Sequence, residues 1–447
     1  MDILMIDVQL LSAVLVGIAI LLFLILYFKI QAFLALLIAS IAVGLMSGME
    51  PVSIMDSMKN GMGNTLGFVA TVVGLGAIFG TILEHSGAAG SLATVLLSKM
   101  GEKRAPWAMT LTGFVIAIPV FFDVAFIILI PLIYSLQRKS GKSLYLFAIP
   151  LLAGLAATHS FIPPTPGPVA VADILGADLG MVILFGFIVG LPAVIISGPL
   201  LAKRLAKETF IAAPPLKDNA EEVKLKPNLL LVLFIIATPI VLIVLNTLSQ
   251  TWLDDGLIKS WLQFFGHPFS SLIIANLMAW YFLGIRSGFT KESLAEMSTK
   301  SLAPAGIIIL LTGAGGVFKQ ILMDTGAGKM LADAFAENLS SPFIFAFIMA
   351  ALMRVAQGSA TVAMITSAGM TAALISSASL SPAQLALLVI AIASGATVLS
   401  HVNDSGFWLI NRYLGLSVKQ TFKSWTVMTT LLGVSGFVFT LILAYFV

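Results

Sequence analysis

Long apolar runs separated by short polar stretches dominate this chain. Residues 10–28 and 229–246 contain no charged residue, and each is close to the roughly 20 residues that a membrane-spanning helix needs. The pattern predicts an all-α polytopic membrane protein, because a helix satisfies its own backbone hydrogen bonds in lipid. The predicted crossings, five in each half, lie near residues 8–28, 31–47, 65–84, 144–172, 181–201, 229–248, 270–285, 303–322, 385–410 and 425–446.

Two further apolar segments, near residues 105–136 and 342–376, are interrupted by Pro or Gly at their centres. We predict that both are re-entrant hairpins, since irregular backbone at membrane depth is tolerated only where protein or a water-filled cavity surrounds it. The long polar stretch 203–228 is predicted to be a cytoplasmic linker. It separates a first membrane unit, residues 1–202, from a second one, residues 229–447.

A spacing of 239 residues relates the two halves of the chain. It superimposes mostly small and apolar positions, such as Gly74 on Gly313, Gly76 on Gly315, Phe79 on Phe318, Gly87 on Gly326, Ala157 on Ala396, Gly167 on Gly406 and Gly176 on Gly415. Related membrane halves are typical of secondary transporters, whose binding site lies where the repeats meet. Because each half has an odd number of crossings, the second repeat is predicted to be inverted relative to the first.

Composition and charge support this interpretation. The chain is 59% hydrophobic and 10% charged, whereas soluble domains are about 25% charged. When the N-terminus is placed outside, all but five of the 24 Lys and Arg residues fall in cytoplasmic segments, as the positive-inside rule requires. Both termini are therefore predicted to be periplasmic, in a bacterial inner membrane. This bias explains the net charge of +3, which gives no indication of nucleic-acid binding.

Four predicted helix breaks mark the candidate site, near residues 118–126, 158–168, 355–363 and 400–406. Pro removes backbone donors and Gly permits unusual dihedral angles, so helices end there and present N–H groups that attract an anion. The candidate substrate-binding groups at the breaks are Pro164, Thr165, Gly358, Ser359, Thr361, Asn403 and Ser405. Kinks and tight helix packing are the alternative, but four breaks at repeat-related positions favour a site.

Ionisable residues within the membrane are costly and tend to be functional. Asp123 is the candidate proton carrier, because a carboxyl group removed from water holds its proton more tightly, although a structural cap is an alternative. Asp404 could carry the proton or hold the broken backbone through an Asx-type bond. His159 could act on protons or substrate, or could simply pack. Arg354 could pair with a substrate carboxylate or snorkel to the outer interface.

Enzyme motifs are not evident in the sequence. The glycine-rich run 313–316 lies in an apolar crossing and lacks the Lys-Ser/Thr of a phosphate loop. The chain has no cysteine, which excludes disulfides and thiolate metal sites. We therefore predict no cofactor and an ion gradient as the energy source. A passive channel is the alternative from another class, and it would give flux without saturation.

These motifs resemble those of the gluconate permease family, the bacterial proton symporters for gluconate and related sugar acids. The resemblance covers essentially the whole chain. Its motifs are Gly74-Leu-Gly-Ala-Ile-Phe-Gly80, Ser86-Gly-Ala-Ala89, Gly358-Ser-Ala-Thr-Val-Ala-Met364, His159 with Pro163-Pro164, and Asn403-Asp-Ser-Gly-Phe-Trp408. It implies inverted repeats, paired hairpins, an elevator-type motion and, commonly, a dimer.

In the wider group to which this family belongs, Ser-Asn-Thr triplets at hairpin tips and broken helices bind carboxylates. The second hairpin here has Gly358-Ser-Ala-Thr361, which lacks the Asn, and the first hairpin has Asp123 and no such triplet. The sodium sites of that group are therefore not carried over, and proton coupling fits the Asp better.

We expect a proton symporter that imports gluconate or a close sugar acid. Fructuronate, idonate, glycerate and D-serine are alternative substrates, because hydroxyl-reading contacts depend on side-chain placement in the fold. The expected partners are the acid anion, protons and the lipid bilayer. The sequence neither requires nor excludes a homodimer, since lipid is an alternative partner for every apolar face.

Overall fold

The computed structural model describes residues 2–101, 104–118, 120, 122–214, 227–326, 341–375, 380–401 and 404–447, and all regular structure in these ranges is helical. The helices of the first half are α1 Asp2–Leu26, α2 Ala32–Met46, α3 Pro51–His85, α4 Ala88–Met100, α5 Ala105–Ile116, α6 Phe122–Ser140, α7 Tyr145–Phe161, α8 Pro166–Leu175, α9 Leu179–Ile195 and α10 Leu201–Glu208. A π-helical turn, Ile196–Leu200, makes α9 and α10 one continuous rod.

Most of these elements have a counterpart in the second half. Its helices are α11 Leu229–Trp252, α12 Leu257–Gly266, α13 Pro268–Met278, α14 Lys291–Asp324, α15 Pro342–Gln357, α16 Ala360–Leu374, α17 Pro382–Thr397, α18 Ser405–Tyr413, α19 Val418–Thr421 and α20 Val427–Ala444. π-helical turns Ala279–Gly284 and Phe422–Thr426 extend α13 and precede α20.

Local sequence explains where several of these helices begin and end. Ser381 and Gln384 form a reciprocal capping box at the start of α17, and Asp178 caps α9 by accepting from the Met181 N–H. Gly176 and Gly358 follow α8 and α15 with φ angles of 71° and 81°, a left-handed conformation that glycine adopts without strain. The chain can therefore turn sharply at both points.

Seven helical units in the described part of the chain are long and apolar enough to cross a membrane. They are Pro51–His85, Tyr145–Leu175, Leu179–Glu208, Leu229–Gln250, Pro268–Ser287, Lys291–Asp324 and Val418–Ala444. With α1, α2 and the pair α17–α18, they account for the ten predicted crossings. The prediction was too short for α3 and α14, which have 35 and 34 residues. At 1.5 Å per residue each extends over about 50 Å, so polar ends continue the helix beyond the apolar core.

Both predicted hairpins are pairs of short helices, α5–α6 and α15–α16. The first arms, α5 and α15, have 12 and 16 residues, or about 18 and 24 Å, less than the roughly 30 Å hydrocarbon core. Both predicted broken crossings are also present: α7–α8 is interrupted at residues 162–165, and in the second pair α17 ends at Thr397 and α18 begins at Ser405.

Glycines hold each hairpin against the broken crossing of its own repeat. A Cβ on Gly113 of α5 would lie 2.3 Å from the Leu151 carbonyl oxygen of α7, and one on Gly395 of α17 would lie 2.2 Å from the Phe347 oxygen of α15. The long helices α3 and α14 join the two repeats, with a Cβ on Gly61 only 2.6 Å from the Gly316 oxygen. Five crossings lead from α2 to its counterpart α13, an odd number, so the repeats have opposite orientations.

Candidate functional site

A cavity of about 400 Å³ lies where the second hairpin, the second broken crossing and α6 of the first repeat meet. It brings together most of the predicted site residues, namely Asp123, His159, Arg354, Gly358, Ser359, Thr361, Asp404 and Ser405. These residues come from both repeats, as expected for a site at the repeat interface.

Three predicted site residues are not part of this cavity wall as described. Pro164 and Thr165 line a separate space of about 20 Å³ with Ile118 and Val120 of the first hairpin, and the Thr165 hydroxyl donates locally to the Ile162 carbonyl at 2.6 Å. The first break therefore faces its own hairpin, whose described neighbouring residues are apolar. Asn403 lies outside the described residues.

A buried ion pair joins the second hairpin to the second break. The Arg354 and Asp404 side chains are only 5% and 10% exposed. Arg354 donates to the Asp404 carboxylate and to the Gly358 carbonyl at the hairpin turn. Arg354 therefore does not snorkel to an outer interface, which was one of the two alternatives from sequence. Its positive charge is already balanced by Asp404.

Asp404 accepts two further hydrogen bonds, one from the Ser400 hydroxyl and one from the Gly406 N–H at 2.9 Å. The second is the Asx-type bond that the sequence allowed, and it caps α18. A carboxylate with an arginine and two other donors has its charge well compensated. This geometry suits a residue that holds the break better than one that releases and takes up a proton.

Asp123 has a different environment in the same cavity. It lies in the first turn of α6 with an exposed side chain, and it makes no hydrogen bond or ion pair with any other residue that the structure describes. Ring contacts of α6 with the second repeat bring it there: Phe122 lies 5.4 Å from Trp425, and Phe126 lies 6.1 Å from Tyr413, between ring centroids.

Two helix N-termini point into the cavity. The cavity is lined by Ser359, which immediately precedes α16, by Ala360 and Thr361 of its first turn, and by Ser405 and Gly406 of the first turn of α18. The Ser359 side chain accepts only a long bond of 3.4 Å from the Val362 N–H. The N–H groups of a first helical turn have no partner within the helix and carry partial positive charge, which attracts anions. These two helix ends form an environment suited to a carboxylate.

Several other lining residues were not predicted from the sequence, among them Ser160, Thr397, Trp425 and Thr429. Trp425 opens the last crossing, where tryptophan is usually taken as part of an interfacial aromatic belt. In the structure it is 4% exposed, and its indole N–H donates to the Ser400 hydroxyl at 2.6 Å. The local sequence does not distinguish it from an interfacial tryptophan; only the structure shows that it lies within the π-helical turn Phe422–Thr426, and such turns are frequent at functional sites.

His159 reaches the cavity from the end of α7. Its Nδ1 atom is buried and has no hydrogen-bond partner among the described residues. A buried polar atom of this kind is expected to find a partner, so a bound molecule can supply one. Among the described residues, no group of three or more His, Asp or Glu side chains is placed to hold a metal ion.

Comparisons with known proteins agree with this architecture. The family model described as GntP family permease matches residues 9–447. The gluconate permease of Pseudomonas aeruginosa is 40% identical over 445 residues, which cover 98% of each chain. The low-affinity gluconate transporter of Escherichia coli K12 is 40% identical over 425 residues, covering 94% of this chain and 95% of that protein.

The crystal structure of the Alcanivorax borkumensis YdaH transporter superimposes with a TM-score of 0.68, covering 93% of this chain and 98% of that one. At 14% identity this similarity concerns the fold alone. The family model and the relatives, in contrast, match nearly the whole sequence. This chain therefore belongs to the GntP family of permeases, multi-pass membrane proteins that carry small molecules.

Proposed function

We propose that this permease takes up gluconate, or a close sugar acid, together with protons. The observation that carries the proposal is that one cavity holds both an anion-binding environment and a carboxylate with no partner among the described residues. The N-termini of α16 and α18 form the anion-binding environment, and Asp123 is the carboxylate. The names of the relatives from P. aeruginosa and E. coli point to gluconate as the acid.

In this proposal the substrate carboxylate lies against Ser359, Thr361 and Ser405, where free backbone N–H groups and hydroxyls can donate to it. The substrate hydroxyls bind elsewhere in the same cavity. His159 offers its Nδ1, which has no hydrogen-bond partner among the described residues, and the hydroxyl oxygens of Thr397 and Thr429 can accept. A site that hydrogen-bonds substrate hydroxyls discriminates strongly against acids that lack them, because its buried polar groups would then be left unpaired.

Asp123 carries the coupled proton. When it is ionised, the described cavity wall holds two carboxylates and one guanidinium, so a further anion is repelled. Protonation of Asp123 leaves the wall neutral, and the substrate anion then binds more favourably. This link is reciprocal, because the substrate raises proton affinity as much as the proton raises substrate affinity. Asp404 is a poorer carrier while Arg354 and Ser400 hold it.

The proposal places the protein in the bacterial inner membrane with both termini periplasmic, on the strength of the Lys and Arg distribution. The homodimer implied by the family resemblance is part of it as well. Labelling of terminal tags by an impermeant reagent tests the orientation, and native mass spectrometry of the purified protein tests the dimer.

Uptake of labelled gluconate into proteoliposomes tests the function. A pH gradient is imposed or collapsed, and unlabelled gluconate, idonate, fructuronate, glycerate and D-serine compete. Saturable accumulation that disappears with the gradient is the expected result, with gluconate the strongest competitor. If another acid competes most strongly, the proposed substrate is wrong and the proposed mechanism stands. Flux that neither saturates nor responds to the gradient would indicate a channel and overturn the proposal.

A further inference from the structure

Trp425 is connected to the second break by a hydrogen bond to one residue, Ser400. The Trp425 indole N–H donates to the Ser400 hydroxyl at 2.6 Å, and the neighbouring Thr426 hydroxyl donates to the Ser400 carbonyl. Trp425 and Ser400 are 4% and 1% exposed. The π-helical turn Phe422–Thr426 is therefore fixed to the break by two hydrogen bonds shielded from solvent.

The same hydrogen-bond chain continues to the hairpin turn. The Ser400 hydroxyl donates to Asp404, which pairs with Arg354, which in turn donates to the Gly358 carbonyl. A hydroxyl has one proton to donate. The Trp425 indole can only donate, so the Ser400 oxygen accepts from it and the Ser400 hydroxyl proton remains available for Asp404. Trp425 therefore fixes the orientation of the Ser400 O–H bond. Such chains strengthen each other in a low-dielectric interior.

The Trp425 ring also packs against the first repeat. Its ring lies 5.4 Å from that of Phe122, whose next neighbour in the chain is Asp123. Trp425 thus contacts Phe122, the residue beside the proposed proton carrier. Through Ser400 it is also connected to the ion pair of Arg354 and Asp404, which holds the hairpin turn. We propose that Trp425 is a positioning residue of the permease, and that it sets substrate affinity by orienting Asp404 and hence the hairpin turn.

This inference rests on the proposed function, and a double-mutant cycle tests it. Trp425→Phe removes the indole donor but keeps an aromatic ring against Phe122, and Ser400→Ala removes the next link. Each variant should raise the KM for gluconate about three- to tenfold, the typical worth of one buried hydrogen bond, with kcat within about twofold. Because both substitutions interrupt the same chain of hydrogen bonds, the KM of the double variant should be no higher than that of the single variant with the higher KM.

Trp280→Phe is the matched control, since Trp280 lies in a groove with Leu75 and Leu277, away from the cavity. It should leave KM unchanged. Additive effects of Trp425→Phe and Ser400→Ala would overturn the inference, as would a fall in kcat at constant KM. If the wild-type protein prefers another acid, that acid replaces gluconate in the cycle. Failure of the gluconate proposal can then be distinguished from failure of the inference about Trp425.

A second measurement needs no substrate. The chain has no cysteine, so Ala360→Cys places a single reactive thiol at the hairpin turn. Trp425→Phe and Ser400→Ala should each speed its labelling by a maleimide in detergent, and the double variant should add nothing further, because the same contact has been lost. Labelling rates that stay equal to those of the Ala360→Cys parent would refute the positioning role even if transport were absent.

Discussion

Replacing Asp123 by asparagine tests the coupling mechanism most directly. The amide has nearly the same shape as the carboxylic acid and resembles its protonated, neutral form. Because Asp123 makes no hydrogen bond or ion pair to other described residues, its replacement leaves the described contacts of the site in place. Asp123→Asn should therefore keep substrate binding and lose the response of transport to protons.

The expected size of the effect follows from the charges that line the cavity. Arg354 and Asp404 balance each other, which leaves Asp123 as the one unpaired carboxylate in the described wall and implies one proton per substrate anion. One pH unit then supplies about 1.4 kcal/mol per proton, which supports about tenfold accumulation. In Asp123→Asn this ratio should fall to about one.

The assay compares two modes of transport in proteoliposomes. In wild-type protein a one-unit gradient, acid outside, should give accumulation, and exchange of external labelled for internal unlabelled gluconate should proceed without a gradient. Asp123→Asn should lose the first and keep the second, with a KM independent of pH. Asp56→Asn, an exposed carboxylate on α3, is the control and should behave as wild type. Undiminished accumulation by Asp123→Asn would refute the assignment.

Three further predictions concern the surrounding structure. Asp404→Asn leaves Arg354 buried without a counter-charge and should lower the free energy of unfolding by about 3–5 kcal/mol; a denaturation midpoint in detergent equal to that of wild type would contradict this. Gly154→Leu should abolish folded protein, because a Cβ there already lies 2.4 Å from a carbonyl oxygen of α5, whereas Gly306→Leu, beside open space, should elute normally in size-exclusion chromatography. Thr165→Val should keep the KM for gluconate within about twofold, since its hydroxyl bonds locally; a larger rise in uptake assays would place the first break at the substrate after all.

Local composition was sufficient to predict the crossings, hairpins and breaks. A run of about 20 apolar residues has to form a helix in lipid, whatever surrounds it. Gly358 and Pro164 act on their own backbone, so the interruptions near them are visible without knowledge of any neighbour. The helix ends of α3 were predicted poorly, because residues 51–64 include polar positions that lie outside the apolar pattern and still continue the helix.

Pairing between distant residues could not be predicted in the same way. Arg354 and Asp404 are 50 positions apart, and nothing in either local sequence distinguishes a buried pair from an interfacial arginine. The two breaks lie at corresponding positions of the two halves, yet α18 opens into the large cavity and residues 164–166 do not. That difference depends on which hairpin carries polar groups to the interface.

The sequence by itself thus determined that this permease lies in a lipid bilayer, where its helices run and that its two halves are related. Hydrophobicity and helix-breaking residues act over short stretches of chain, so these features can be recognised without the fold. The tertiary structure decided that Asp123 of one repeat meets Arg354, Asp404 and Trp425 of the other. Close packing of helices brings these side chains together, and a site built from two repeats exists only after both have folded against each other.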